Sequence, residues 1–342
     1  MIIDAHAHVL APEVFYAYRA QLIGHGGYHQ DGPKYSDEEL AGAAGANVTI
    51  MDSVGTDVQF LSPRPFQQMH SAKPAGIVHS WIGANNDVIA RTVALHPDRF
   101  AGVAGLPLAA GAPVESCFDE LTRAVDELGF IGVSLNPDPY EGTGHTPTLG
   151  DEFWYPLWEK LVALDVPALI HSAGCFNGRE IYSDHFITEE SIAVLSLMRS
   201  RTFLDFPDLK LIVGHGGGSV PYQIGRWKAA RLAPGLGNDA LDERFEVSLR
   251  RLWFDTCLYD QASLAHLFAT VGADRCLFGT EKPGSGSVTD PDTGRSFDDL
   301  KPVIEDIGTL SDADRPPSSR ATPVRSSAAG RAQAPHDRAG RR

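Results

Sequence analysis

Residues 153–171, FWYPLWEKLVALDVPALIH, contain one whole repeating unit of this chain. The apolar residues of Phe153–Leu164 fall at helical spacing, whereas Val166–Ile170 is a short, nearly continuous apolar run. A strand with one wet face alternates apolar and polar residues. An unbroken run is the pattern of a strand covered on both faces, as in a parallel sheet flanked by helices. The run stops at His171, a polar side chain placed where a buried strand leaves the core.

The same unit recurs outward in both directions. Eight such runs are predicted as strands: Ile2–Ala5, Val58–Leu61, Phe100–Leu106, Phe130–Leu135, Val166–Ile170, Leu209–Gly214, Leu252–Thr256 and Arg275–Gly279. Helix-patterned stretches lie between them at Ile77–Leu95, Val114–Leu128, Phe153–Leu164, Ile187–Leu204, Val220–Leu232 and Leu264–Val271. This alternation predicts an α/β protein of the closed (β/α)8, TIM-type barrel class. An open doubly wound sheet fits less well, because no GxGxxG turn follows the first run. Residues 1–314 are expected to form this single barrel. The glycine-rich segment 23–37, IGHGGYHQDGPKYSD, is expected to lie between the first strand and the first regular helix as a loop or lid over the mouth.

The formal charge of −15 over 342 residues excludes a nucleic-acid partner, since phosphate binding needs clustered Lys and Arg. No apolar run approaches the roughly 20 residues of a membrane span, and MIIDAHAH lacks the features of a secretory leader. The expected setting is cytoplasmic, without a membrane partner. Cys117, Cys175, Cys257 and Cys276 include no CxxC pair and read as reduced thiols. Residues 315–342 carry seven Arg, one Asp and no aromatic residue among Pro, Ala, Ser and Gly. That composition predicts a disordered basic tail, and its abrupt onset at Arg315 resembles a shifted reading frame in GC-rich coding sequence.

In a (β/α) barrel the functional residues stand at the C-terminal ends of the strands, where the loops converge on one mouth. The first predicted strand runs into His6-Ala7-His8, whose alternation puts both imidazoles on one side. The fifth ends in His171, the sixth in His215 and the eighth in Thr280-Glu281. Of thirteen histidines, four therefore face one mouth beside a carboxylate. His6, His8, His171 and Glu281 form a nitrogen/oxygen set for one divalent metal, with zinc the first choice and manganese or iron the alternatives. His215, inside Gly214-His215-Gly216-Gly217-Gly218, is assigned to proton transfer or substrate contact. Arg64, just after the second strand, is a candidate carboxylate clamp. Asn136, Arg226 and Lys282 are further candidate substrate contacts, while Cys175 and Cys257 lack an activating base and read as inert.

These residues resemble the amidohydrolase superfamily. The likeness spans residues 1 to about 314 and is carried by His6-Ala7-His8, FLSPR at 60–64, ELGFIGVSLNPDP at 127–139, FWYPLWEKLVALDVPALIH at 153–171, HGGGSVPYQIGRW at 215–227 and FDTCLY at 254–259. It is similar to the branch holding aminocarboxymuconate-semialdehyde decarboxylase and the 4-oxalomesaconate hydratases, and within it to the hydratases. Most of the superfamily has aspartate where this chain and the hydratases have glutamate, at Glu281. The likeness implies a (β/α) barrel, one metal on His6, His8, His171 and Glu281, Glu281 and His215 as catalytic groups, and lyase chemistry. Three stretches depart from the hydratase pattern: Lys282–Ser287, the loop SAGCFNGREIYSDHF after His171, and the tail.

The expected function is thus hydration of an unsaturated di- or tricarboxylic acid in aromatic-acid catabolism, with a small anionic carboxylic acid as partner. The alternatives are non-oxidative decarboxylation of an aromatic or dienoic acid, amidohydrolase-type hydrolysis, and a ligand-binding barrel without turnover. The sequence leaves assembly into a homo-oligomer open.

Overall fold

The computed structural model describes residues 1–27, 31–233 and 242–308. The tail at 315–342 lies outside them. Eight parallel strands pair in chain order: β1 (Ile3–His8), β2 (Val58–Ser62), β3 (Phe100–Gly105), β4 (Gly132–Leu135), β5 (Ala168–Ile170), β6 (Leu211–Val213), β7 (Trp253–Asp255) and β8 (Cys276–Leu277). The seam between β8 and β1 is held by Ala5 N–H donating to the Phe278 carbonyl at 2.8 Å and Glu281 N–H donating to the His6 carbonyl at 2.7 Å. The expected barrel is found.

Helices follow the strands: α1 (Glu13–Gly24) and α2 (Asp37–Val54) after β1, α3 (Ala75–Leu95) after β2, α4 (Phe118–Asp126) after β3 and α5 (Tyr155–Leu164) after β4. α6 (Tyr182–Arg199) and α7 (Thr202–Asp205) follow β5, α8 (Ile224–Leu232) and α9 (Phe245–Leu249) follow β6, α10 (Gln261–Val271) follows β7, and α11 (Leu300–Glu305) follows β8. Among the described residues, no helix is long and apolar enough to cross a membrane.

Local chemistry sets these boundaries. At α2 the Ser36 hydroxyl accepts from Glu39 N–H while the Glu39 carboxylate accepts from Ser36 N–H, a reciprocal capping box. Gly55, at φ 73°, stops the same helix in the left-handed region. The unit quoted first behaves as read: α5 ends at Asp165, also left-handed at φ 56°, and the fully buried β5 follows. Trp81, Trp154, Trp158 and Phe254 are among the largest fully buried side chains of the core.

One expectation is corrected. The segment 23–37 does not precede the first helix, because α1 already occupies Glu13–Gly24 and the polar stretch joins α1 to α2. The inward face of α1 is Phe15, Tyr18 and Leu22, but exposed Val14 and Ile23 interrupt its apolar stripe.

Candidate metal centre and active site

The strand ends bring six polar side chains together. His6 and His8 lie within β1 itself, which runs further than its apolar residues suggest. The register of β1 on β2 slips between Asp4 and Ala7, a local irregularity of the kind that re-aims side chains beside a site. His171 follows β5, His215 opens the turn after β6, Asp255 ends β7 and Glu281 follows β8. All six are buried. The His6 ring centroid lies 5.1 Å from that of His8, 4.9 Å from His171 and 5.5 Å from His215. A Cβ on Gly279 would come within 2.9 Å of His6 Cβ and 3.0 Å of Asp255 Cβ, so the close approach of β1, β7 and β8 requires glycine there.

Each metal-facing imidazole is fixed through its Nδ1. His6 Nδ1 lies 2.6 Å from Asp255 Oδ2, His8 Nδ1 2.8 Å from Ser62 Oγ and His171 Nδ1 2.7 Å from the Ser172 carbonyl. A carboxylate and a carbonyl only accept. The Ser62 hydroxyl has the Ala7 and Pro63 carbonyls at 3.3 Å to donate to, so it accepts from His8 as well. The network thereby assigns the proton of all three rings to Nδ1 and leaves the Nε2 lone pair free, the form in which imidazole binds a metal. Those three Nε2 atoms are buried without a hydrogen-bond partner. A buried polar atom left unsatisfied costs about 1–3 kcal/mol, and an ion would relieve all three together.

Glu281 supplies the oxygen. Its Oε1 stands 3.4 Å from His8 Nε2 and 4.0 Å from His171 Nε2, near the roughly 3.3 Å that separates two donors around a tetrahedral zinc. Its Oε2 accepts from Tyr259 Oη at 2.7 Å and Ser285 Oγ at 3.1 Å, which fixes the plane of the carboxylate. The donor set and its orphaned atoms fit a divalent metal. Burial works to raise the Glu281 carboxyl, but contact with His8 and the charge of His215 outweigh it and hold the group well below its ordinary value. His8 is pushed down to about 4 by burial, with the charge of Arg64 acting in the same direction. Burial also drives His171 well down, so both rings are neutral and ready to ligate.

His215 differs. Its Nδ1 lies 2.9 and 3.0 Å from the two oxygens of Glu190 on α6. Burial would lower it, but the Glu190 charge and hydrogen bonds outweigh that and raise it to about 10. The structure also brings one ring nitrogen of His215 within 4.8 Å of donor atoms on His6, His171 and Glu281, so His215 borders the metal centre. His215 at φ 48°, Glu281 at φ 59° and Tyr259 at φ 58° are left-handed. That conformation costs roughly 1–2 kcal/mol per non-glycine residue and gathers here at the mouth.

The other expected contacts separate. Arg64 is half-buried, and its guanidinium has no ion pair or hydrogen bond among the described residues. Lys282 is instead committed to Asp298 Oδ1 at 2.6 Å and Ser296 Oγ at 2.5 Å. Asn136 spends its amide on His70 Nδ1 and the Asp138 carbonyl, while its oxygen accepts from Asp138 N–H. Arg226 is exposed on α8, a helix without a buried residue. Burial pushes the Cys257 thiol well above its ordinary value, and burial raises Cys175, in keeping with inert thiols. Asp255, Glu190, Tyr259 and Ser285 were not anticipated. Asp255 had a legible place, at a strand end inside FDTCLY; Glu190 lies mid-helix and has no such signal.

Comparison with known proteins agrees with this arrangement. Over 321 residues the chain is 38% identical to 2-keto-4-carboxy-3-hexenedioate hydratase of Sphingobium sp., covering 92% of each protein. Among solved structures, 4-oxalomesaconate hydratase of Rhodopseudomonas palustris matches with a TM-score of 0.81 at 32% identity, covering 92% of each chain. Dihydroxybenzoic acid decarboxylase of Polaromonas sp., solved with bound manganese and the inhibitor 2-nitroresorcinol, matches with a TM-score of 0.67 at 25% identity and the same coverage. Residues 3–316 match the amidohydrolase family. With a parallel eight-stranded barrel and a buried histidine/glutamate metal cluster at its strand ends, this chain belongs to the amidohydrolase family.

Proposed function

We propose that the protein is a metal-dependent hydro-lyase that hydrates an unsaturated tricarboxylate of the 4-oxalomesaconate type. The observation that carries this reading is the 38% identity to a hydratase across 92% of both chains, against 32% over 58% of this chain to gamma-resorcylate decarboxylase of Rhizobium sp.. His6, His8, His171 and Glu281 would hold one divalent ion, with zinc favoured by the three-nitrogen, one-oxygen donor set. When bound, the ion supplies Lewis acidity, worth several kcal/mol of transition-state charge stabilisation.

The chain's own residues account for the rest. Arg64, whose guanidinium is unpaired among the described residues and whose charge reaches His8, matches a substrate carboxylate bidentately. Glu281, held ionised and aimed by Tyr259 and Ser285, takes a proton from water as its oxygen adds to the alkene carbon β to the keto group. His215 Nε2–H gives a proton to the carbon next to that keto group, and Glu190 keeps His215 charged for this step. One proton leaves water and one reaches carbon; the proton left on Glu281 then passes to His215 Nε2, 3.9 Å from Glu281 Oε2, and restores both groups.

The test is turnover of 4-oxalomesaconate, followed by loss of its conjugated ultraviolet absorbance together with CO2 measurement. Loss of absorbance without CO2 is expected. One CO2 released per molecule consumed would replace this reading with decarboxylation.

A further inference from the structure

A second histidine/carboxylate cluster lies outside the centre just described. His185 is 1% exposed, and both of its ring nitrogens are buried without a hydrogen-bond partner. Its Nε2 is 3.5 Å from Asp138 Oδ2, and its Nδ1 is 3.4 Å from Glu180 Oε1. Glu189 is one helical turn beyond His185 on the same face of α6. One donor atom from each of Asp138, His185 and Glu189 lies within 4.8 Å of the others. A cavity of about 250 Å³, lined by these three together with His145, Thr146 and Glu180, opens onto them.

Three carboxylates and no Lys or Arg line this cavity. Among the described residues no Lys or Arg pairs with Asp138, Glu180 or Glu189. Asp138 is nonetheless fixed: Oδ1 accepts from Tyr140 N–H at 3.1 Å and from Thr146 Oγ1, and Oδ2 accepts from Gly142 N–H at 2.7 Å. Oδ2, the oxygen that faces His185, keeps a lone pair to spare. A carboxylate as buried as that of Asp138, with no Lys or Arg beside it, is unfavourable unless a proton, on itself or on His185, or a metal neutralises its charge.

We propose that Asp138, His185 and Glu189 form a second divalent-cation site, with His185 ligating through Nε2 and Glu180 facing its Nδ1 without a hydrogen bond. One imidazole nitrogen and two carboxylate oxygens suit zinc or manganese, and the 3.5 Å between His185 and Asp138 is close to the roughly 3.3 Å between donors on a tetrahedral ion. The ion ties the start of α6 to the turn after β4. Through α6 it also steadies the next residue along each pair: Phe186, stacked on His215 at 5.8 Å between centroids and edge-on to His171 at 4.9 Å, and Glu190, which holds His215. The site is a positioning device for the active centre.

Metal counting tests this. The full-length protein, stripped with a chelator and titrated with Co2+ or Zn2+, should take up two equivalents per chain, the second roughly 10–100-fold more weakly because its imidazole lacks a hydrogen-bonded anchor. Glu189→Gln and His185→Asn should each bind one equivalent, and His171→Ala should keep only the weaker one, with a distinct Co2+ spectrum. Glu189 is partly exposed, so Glu189→Gln keeps the proposal testable if His185→Asn fails to fold. Saturation of the wild type at one equivalent, or two equivalents retained by Glu189→Gln, would overturn it.

Discussion

Two clusters of histidine and carboxylate flank the N-terminal half of α6, and they are built differently. In the barrel mouth every imidazole is anchored through Nδ1, to Asp255, Ser62, the Ser172 carbonyl or Glu190. At the outer cluster neither nitrogen of His185 makes a hydrogen bond. Anchoring fixes tautomer and ring plane before a ligand arrives, so the inner centre is organised for chemistry. The outer cluster has the donor types without that rigidity, which suits a weaker, structural role.

The largest effect should come from His171→Ala, which removes one orphaned donor of the inner centre. Turnover is expected to fall by about a thousandfold or more, the scale of several kcal/mol, with loss of the tight metal equivalent in elemental analysis. Full turnover in a His171→Ala protein shown to lack that equivalent would erase the distinction between the clusters.

Glu190→Gln should come next, lowering turnover by roughly a hundredfold through loss of the charged His215. It also has a pH signature. His215 is raised to about 10 in the folded protein from 6.5, so its pairing stabilises fully below about pH 6.5 and fades as pH rises through about 10. Thermal melts of metal-free wild type should therefore lose stability across that window, and Glu190→Gln should lack that slope. Identical slopes would mean that His215 is not the proton holder.

Asp255→Asn should weaken the tight metal equivalent by roughly 10–100-fold, since Asp255 holds His6 Nδ1, and leave the weaker one alone. Calorimetric titration distinguishes the two. The smallest effect is expected of Tyr259→Phe, which removes the 2.7 Å hydrogen bond to Glu281 Oε2. A fall of about tenfold or a little more in kcat, with metal content unchanged, fits the loss of one hydrogen bond to a charged group; lost metal would make Tyr259 part of the scaffold instead.

The strands were legible because burial writes itself locally. Val166–Ile170 and Leu252–Thr256 become β5 and β7 with only their ends trimmed. Helices were less so where packing competes with pattern. The spacing of Ile187–Leu204 predicts one helix, but the chain breaks at Ser200, which adopts an extended conformation between α6 and α7. The stretch Val220–Leu232 loses its start because the left-handed Gly216, Gly217 and Gly218 hold the chain in turns after β6.

By itself the sequence determined the barrel class and the residues at its mouth. Apolar runs and helical spacing are periodic, and a histidine at the end of a buried run has few other places to go. Only the tertiary structure decided the partners. Asp255 meets His6 across 249 residues of chain, Glu190 meets His215 from mid-helix, and Asp138 meets His185 from a different strand loop. It also withdrew Lys282 from the site by pairing it with Asp298. A polar pairing has no period; it depends on two distant backbones arriving within about 3 Å of each other, and closure of the barrel sets that distance.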